Sequence, residues 1–137
     1  DVLMDLRGRP IEAVTRRRLA VRNGEAVKSR VENQQALRDA SLGLGEMLGL
    51  VGHNVVQAFV LEDGALRFIE IYPRFGGASN LSIAAGLDSP RRIVELLAGR
   101  EDAAWRARPI RFGLSMLRYS DDPIVPEAEI VAMERAS

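Results

Sequence analysis

Two apolar runs, Asn54–Glu62 and Ala65–Ile71, are separated by the dipeptide Asp63-Gly64. No other feature of the chain restricts its fold as sharply. A two-residue hairpin turn of type I′ needs positive φ at both central positions, which Asp and Gly tolerate and β-branched residues do not. The segment therefore reads as a β-hairpin. With a loop of only Asp63-Gly64 the register is fixed: Glu62 faces Ala65, Leu61 faces Leu66, Phe59 faces Phe68 and Gln57 faces Glu70. Side chains alternate along a strand, so Gln57, Phe59 and Leu61 share a face with Leu66, Phe68 and Glu70, and Tyr72 joins them if the strand continues. Directly opposed Cβ atoms lie about 4.5–5.5 Å apart. An amide and a carboxylate then stand side by side next to an apolar layer. Two oxygen donors so placed suit a hard cation such as Mg²⁺, which takes one or two carboxylates, keeps several waters and binds substrate phosphates. Taken alone, a Gln–Glu pair on a strand is more often a solvated rim or a simple hydrogen-bonded pair.

The residues after the hairpin strengthen the ligand reading. Arg74 comes four residues after Glu70, and Gly76-Gly77 opens a turn before a short helix. Backbone N–H groups at such a turn can accept an anion, and a guanidinium can grip phosphate oxygens bidentately. Upstream, Arg16, Arg17, Arg18 and Arg22 form a basic run, with Lys28 and Arg30 beyond it. On a strand Arg16 and Arg18 share a face and Arg17 points away. By its pattern alone the run reads as a solvated charged face. Nucleic acid is not its expected partner, because no aromatic residues are interleaved with it.

The rest of the chain supplies a frame. Val2–Leu6 and Ile11–Val21 read as strands joined by the turn-like Arg7-Gly8-Arg9-Pro10. Asn23 to about Glu32 is polar and reads as a loop. Asn33 is the expected N-cap of a helix over Gln34–Leu48, whose apolar residues recur at helical spacing. Gly43 and Gly45 weaken that helix, by about 1 kcal/mol each relative to Ala, and suggest close packing on a sheet. A short helix over Ser79–Ala85 ends at Gly86, with Ser79 or Asn80 as its cap. Ser89-Pro90 reads as the N-cap and first residue of a further helix reaching Ala98. Ile110–Tyr119 is a further strand and Asp121-Asp122-Pro123 a turn. Glu127–Arg135 fits strand or helix. Trp105 is assigned to packing, and His53, next to the hairpin, to the surface. The expected class is α+β, an antiparallel sheet flanked by helices, with the helices on one face.

Composition excludes several chemistries. The 137 residues carry 19 basic and 19 acidic side chains, so no net charge draws the chain to nucleic acid or to an acidic membrane. With no cysteine and one histidine, thiolate chemistry, disulfides and multi-His metal sites are ruled out within one chain. No apolar run nears the roughly 20 residues that span a bilayer, and a cytoplasmic setting is expected.

The stretch Asn54-Val55-Val56-Gln57-Ala58-Phe59, Asp63-Gly64, and Phe68-Ile69-Glu70-Ile71-Tyr72-Pro73-Arg74-Phe75-Gly76-Gly77-Ala78-Ser79 resembles the signature of the ATP-grasp superfamily, in its branch of carbamoyl-phosphate-synthase-like carboxylate–amine ligases. Leu81–Gly86 continues the likeness, as does the opening Asp1-Val2-Leu3-Met4-Asp5. It covers residues 1–99 of a single domain spanning 1–137, with 100–137 a sheet extension or tail. The resemblance implies the C-terminal lobe of such a domain, binding ATP with Mg²⁺ or Mn²⁺ and a small carboxylate that reacts through an acyl phosphate. It implies metal contacts at Gln57, Glu70 and Tyr72 and a catalytic phosphate contact at Arg74, with Arg18, Arg22 and Lys28 as further phosphate contacts. The family's third metal position is normally Asn. Tyr72 departs from it, and a neutral phenol is a poor ligand for Mg²⁺. The family's other lobe, with its lysines and glycine-rich flap, is expected to be missing, so ligase activity would need a separate N-terminal lobe. The alternative is a non-catalytic binding or assembly module, forming a homodimer through its exposed apolar surface.

Overall fold

The computed structural model describes residues 1–100, 109–119, 124, 126 and 127. Trp105, the Asp121-Asp122-Pro123 turn and nearly all of Glu127–Arg135 lie outside them. In chain order the elements are strands β1 (Val2–Met4), β2 (Pro10–Ala13), β3 (Arg16–Arg22) and β4 (Glu25–Val31), helix α1 (Gln35–Met47), strands β5 (Gly52–Val60) and β6 (Leu66–Tyr72), helix α2 (Ser79–Ser82), a π turn (Ile83–Leu87), helix α3 (Ser89–Leu97) and strand β7 (Ser115–Leu117). All strand pairs are antiparallel, and the class is α+β as the sequence predicts. The strands form two sheets, ordered β2-β1-β5-β6 and β3-β4-β7. Among the described residues no helix is long and apolar enough to cross a membrane.

The central strand explains the layering. Val2, Leu3 and Met4 are all buried, and alternation sends them to opposite faces. Leu3 joins Val14, Val31, Leu81, Ala85 and Leu87 in one cluster, while Val2 and Met4 join Ala13, Leu42, Leu50 and Val56 in another. Helices therefore cover both faces of the first sheet, not the one face expected. Gly45 lies on that second face: a Cβ there would meet Met4 Sδ at 3.0 Å. Gly43 faces open space. Gly43→Ala is accordingly expected to raise the unfolding free energy by about 0.5–1 kcal/mol in urea titration. Gly45→Ala should instead lower it through crowding of Met4.

The structure alters several boundaries. Ile11–Val21 is two strands, since the chain leaves one sheet after Ala13 and enters the other at Arg16. The segment after Asn23 is no loop but β4, paired with β3 from Arg16↔Val31 to Arg22↔Glu25. Asn23 and Gly24 have φ of 50° and 79°, so this is the two-residue turn with positive φ at both positions. The Asp63-Gly64 turn is different. Only Gly64 has positive φ there, at 83°. Its N–H donates to Leu61 O at 2.9 Å, Leu61 N–H donates to Ala65 O at 2.9 Å, and Asp63 Oδ1 accepts from Ala65 N–H at 2.9 Å. The loop is thus Glu62-Asp63-Gly64, and Ala65 pairs with Leu61 instead of Glu62.

Helix caps shift by one residue. Gln34, not Asn33, caps α1, and Asp88, not Ser89, caps α3, neither with a side-chain bond. The Ser89 hydroxyl turns to His53 instead. The α2 cap is Ala78, again without a side-chain bond, so Ser79 and Asn80 do not cap it. The strand expected over Ile110–Tyr119 is reduced to β7.

Candidate functional site

The longer hairpin loop shifts the register at its tip by one residue: Val60 pairs with Leu66, Phe59 with Arg67 and Ala58 with Phe68. A bulge at Ile69 then absorbs the offset, and Gln57 stands opposite Glu70 as the sequence predicts, with Val56↔Ile71 and Val55↔Tyr72 beyond it. Bulges of this kind re-aim side chains next to sites. Here one restores a cross-strand rung of amide and carboxylate.

That rung borders a cavity of about 720 Å³ between the two sheets. Gln57, Phe59, Val60, Leu61, Ile69 and Tyr72 line it from β5, β6 and their loop. From the other side it is lined by Arg16, Arg17 and Arg18 of β3, by Gly24 and Glu25, and by Arg74, Gly76, Gly77 and Arg118. The cavity thus has an apolar wall from the tip of the β5–β6 hairpin and several guanidinium groups among its other lining residues. Of the residues expected to contact phosphate, Arg18 and Arg74 reach the cavity. Arg22 and Lys28 are not in its lining; both sit on exposed positions further along the β3–β4 hairpin. Glu70 is not in the lining. Sequence reasoning passes over Arg118 altogether and gives Arg16 and Arg17 no contact of their own. Arg118 lies 41 residues from Gly77, whose carbonyl it contacts, so no local pattern announces it.

The polar groups already have partners. Arg18 donates to Gln57 Oε1 at 2.9 Å and to Gly24 O. Arg17 pairs with Glu32 at 2.8 Å, and Arg118 pairs with Glu25. Tyr72 donates its phenol proton to Glu70 Oε2, and that bond, more than any other influence, raises its pKa. Arg74 stacks over the Tyr72 ring, 4.9 Å from its centroid, and donates to Phe75 O at 2.9 Å. In the turn after β6 one amide is engaged: Gly76 N–H donates to Ser79 Oγ at 2.9 Å. Gly76 and Gly77 answer to space, since a Cβ would meet Val55 Cγ2 at 3.1 Å and the Arg118 guanidinium at 3.2 Å, respectively.

Behind the cavity lies a buried polar hub. The Asp1 carboxylate accepts from Arg16 Nη2 at 2.9 Å, is ion-paired with Arg16 Nε at 2.7 Å, and accepts from the Ser79 hydroxyl at 3.0 Å and the Ser82 hydroxyl. His53, assigned to the surface from sequence, is buried at 5% exposure and stacks on Phe75 with centroids 4.2 Å apart. Its Nε2 lies 3.1 Å from Ser79 Oγ and its Nδ1 lies 2.8 Å from Ser89 Oγ. The single Ser79 proton goes to Asp1, so Nε2–H is the donor to Ser79 and Nδ1 accepts from Ser89. Asp1 Oδ1, 3.5 Å from Nε2, would favour an added proton. Burial outweighs it and, with the positive charge of Arg16, lowers the His53 pKa to about 4.

The donor set fits a divalent cation poorly. No group of three or more His, Cys, Asp or Glu side chains able to hold a metal occurs among the described residues. Gln57 Oε1 is held by Arg18, Glu70 Oε2 by Tyr72, and the phenol is kept protonated.

A family model described as "ATP-grasp in the biosynthetic pathway with Ter operon" matches residues 1–119. No curated protein matches the chain.

Proposed function

Because the chain belongs to this ATP-grasp family, we propose that its cavity takes ATP, with the base against the apolar wall of the β5–β6 hairpin and the phosphates against Arg18 and Arg74. The observation that carries this reading is that one cavity is lined both by the apolar Phe59, Val60, Leu61 and Ile69 and by the guanidinium groups of Arg18, Arg74 and Arg118. Pockets of this size with few convergent polar groups suit small ligands, and arginine forks suit phosphate oxygens.

The chemistry we assign is carboxylate–amine ligation. A carboxylate oxygen attacks the γ-phosphorus and ADP leaves; an amine then attacks the acyl carbon and phosphate leaves. In this scheme Arg74 meets the negative charge of the transferring phosphoryl group. No step is assigned to a metal ion. The apolar wall is open, with Phe59 64% exposed. A base lying there would be covered on one side only, so the reading includes a second, N-terminal-lobe-like surface that closes over it, without which no ligase turnover is expected.

Calorimetric titration of the chain with ADP tests the site. Arg18→Ala and Arg74→Ala are each expected to weaken binding about tenfold or more, the loss of a charged hydrogen-bond pair. Arg22→Ala, outside the lining, should change it little. Equal weakening by all three variants would reduce the site to a diffuse basic surface.

A further inference from the structure

ATP-grasp membership points to a metal–nucleotide complex, and two of the rung's oxygen donors, Gln57 Oε1 and Glu70 Oε2, are otherwise engaged. Gln57 Oε1 is occupied by Arg18 at 2.9 Å. Glu70 Oε2 holds the Tyr72 proton. The Tyr72 ring in turn carries the Arg74 guanidinium on its face. The arrangement forms a chain from β3 through β5 and β6 to the segment after it: Arg18–Gln57 on one side, Glu70–Tyr72–Arg74 on the other. Guanidinium groups stand at both sides of the rung, and the Tyr72 phenol occupies one oxygen of its single carboxylate. Magnesium dehydrates reluctantly and demands near-ideal octahedral geometry, so it competes poorly for a carboxylate already closed in this way.

Building on the nucleotide reading, we infer that this site neutralises polyphosphate with its arginines and binds it without a divalent cation, Tyr72 acting as the plug that closes Glu70 to the metal. Arginine keeps its charge at any ordinary pH and offers a planar fork to phosphate oxygens, so it can take over the charge balance a bridging ion would provide. Tyr72 is the specificity-determining residue in this scheme. Its hydroxyl, not its ring, does the closing, and the ring holds Arg74 in reach of the phosphates.

The test is ADP and tripolyphosphate binding by the 137-residue chain, in chelator and in millimolar Mg²⁺, with wild type and Tyr72→Phe side by side. Wild-type affinity should change less than about threefold between the two conditions. Tyr72→Phe keeps the ring under Arg74 and frees Glu70, so it should acquire a Mg²⁺ response of about tenfold. Thermal melting of both proteins, with and without Mg²⁺ alone, gives a second readout, and only the variant should be shifted. Wild-type binding that collapses tenfold in chelator overturns the inference and leaves the nucleotide reading intact. A variant as indifferent to Mg²⁺ as wild type overturns the role given to Tyr72. Absence of binding in both conditions removes the nucleotide reading and this inference with it.

Discussion

Arg16→Ala is expected to lower the unfolding free energy of the ligand-free chain by about 3–5 kcal/mol, the cost of leaving a buried carboxylate without its cation. The Asp1 side chain is fully buried and that of Arg16 is 11% exposed. Burial lowers the Arg16 pKa to about 10, so it remains charged at neutral pH and its loss uncovers a whole negative charge. Two serine hydroxyls still reach Asp1, which sets the figure at a few kcal/mol and not higher. Arg16 also joins the sheets, rising from β3 in one to Asp1 at the head of β1 in the other. Arg16→Lys keeps the charge without the two-nitrogen fork and should recover only part of the loss. Urea unfolding checks this through the midpoint at constant slope. A loss below about 1 kcal/mol for the alanine variant would show that hydroxyls alone satisfy the carboxylate.

The second large effect is of pH. His53 has a folded-state pKa of about 4 against an ordinary 6.5. Below pH 6.5 the unfolded chain binds a proton that the folded chain refuses, so stability falls with falling pH. The contribution is fully present above about pH 6.5 and is lost progressively down to about pH 4. Of a total near 3 kcal/mol, about 2 kcal/mol should be gone between pH 7 and pH 5. Asp5 does not confuse this window. Burial alone would raise its pKa, but bonds from Arg9 and the backbone of Arg9 and Arg7 lower it below the usual 3.8, so its contribution is lost only at more acidic pH. Denaturant midpoints at pH 7, 6 and 5 for wild type and His53→Gln separate the cause. The variant is expected to start less stable and to lose less than wild type across the range, keeping only the slope of the buried Asp1 amino group, whose pKa burial also lowers to about 4. Parallel slopes for the two proteins would place the acid sensitivity elsewhere.

The parts of this molecule that are legible in its sequence are those fixed by neighbours in the chain. Asp63-Gly64 announces a hairpin, and period-two alternation brings Gln57 opposite Glu70. The turn type escapes, because Asp63 uses its carboxylate on Ala65 N–H and widens the loop. The β3–β4 hairpin carries the stronger turn dipeptide, Asn23-Gly24, yet its second strand alternates Glu, Lys, Ser and Arg with few apolar residues. Its burial comes from Ala26, Ser29 and Val31 packing on distant elements, which no local window reveals. His53 is misplaced by sequence reasoning on the same ground: its partners Ser79 and Ser89 lie 26 and 36 residues away. Arg74 and Arg18 are found by their proximity to the motif. Arg118 reaches the site from the far end of the described chain, and only the pairing of β4 with β7 brings it there.

The extra residue at Ile69 gives the hairpin two independent reading frames. The frame at the tip is set by a loop of three residues, and the frame at the base by the rung of Gln57 and Glu70. Changes in the length or identity of the tip can be taken up at that single offset without rotating the base. The end of the hairpin that presents an apolar wall is thereby free to drift or be remodelled, while the end that presents the polar rung is held constant. Selection can retune what the wall accepts and leave the chemistry beside it untouched.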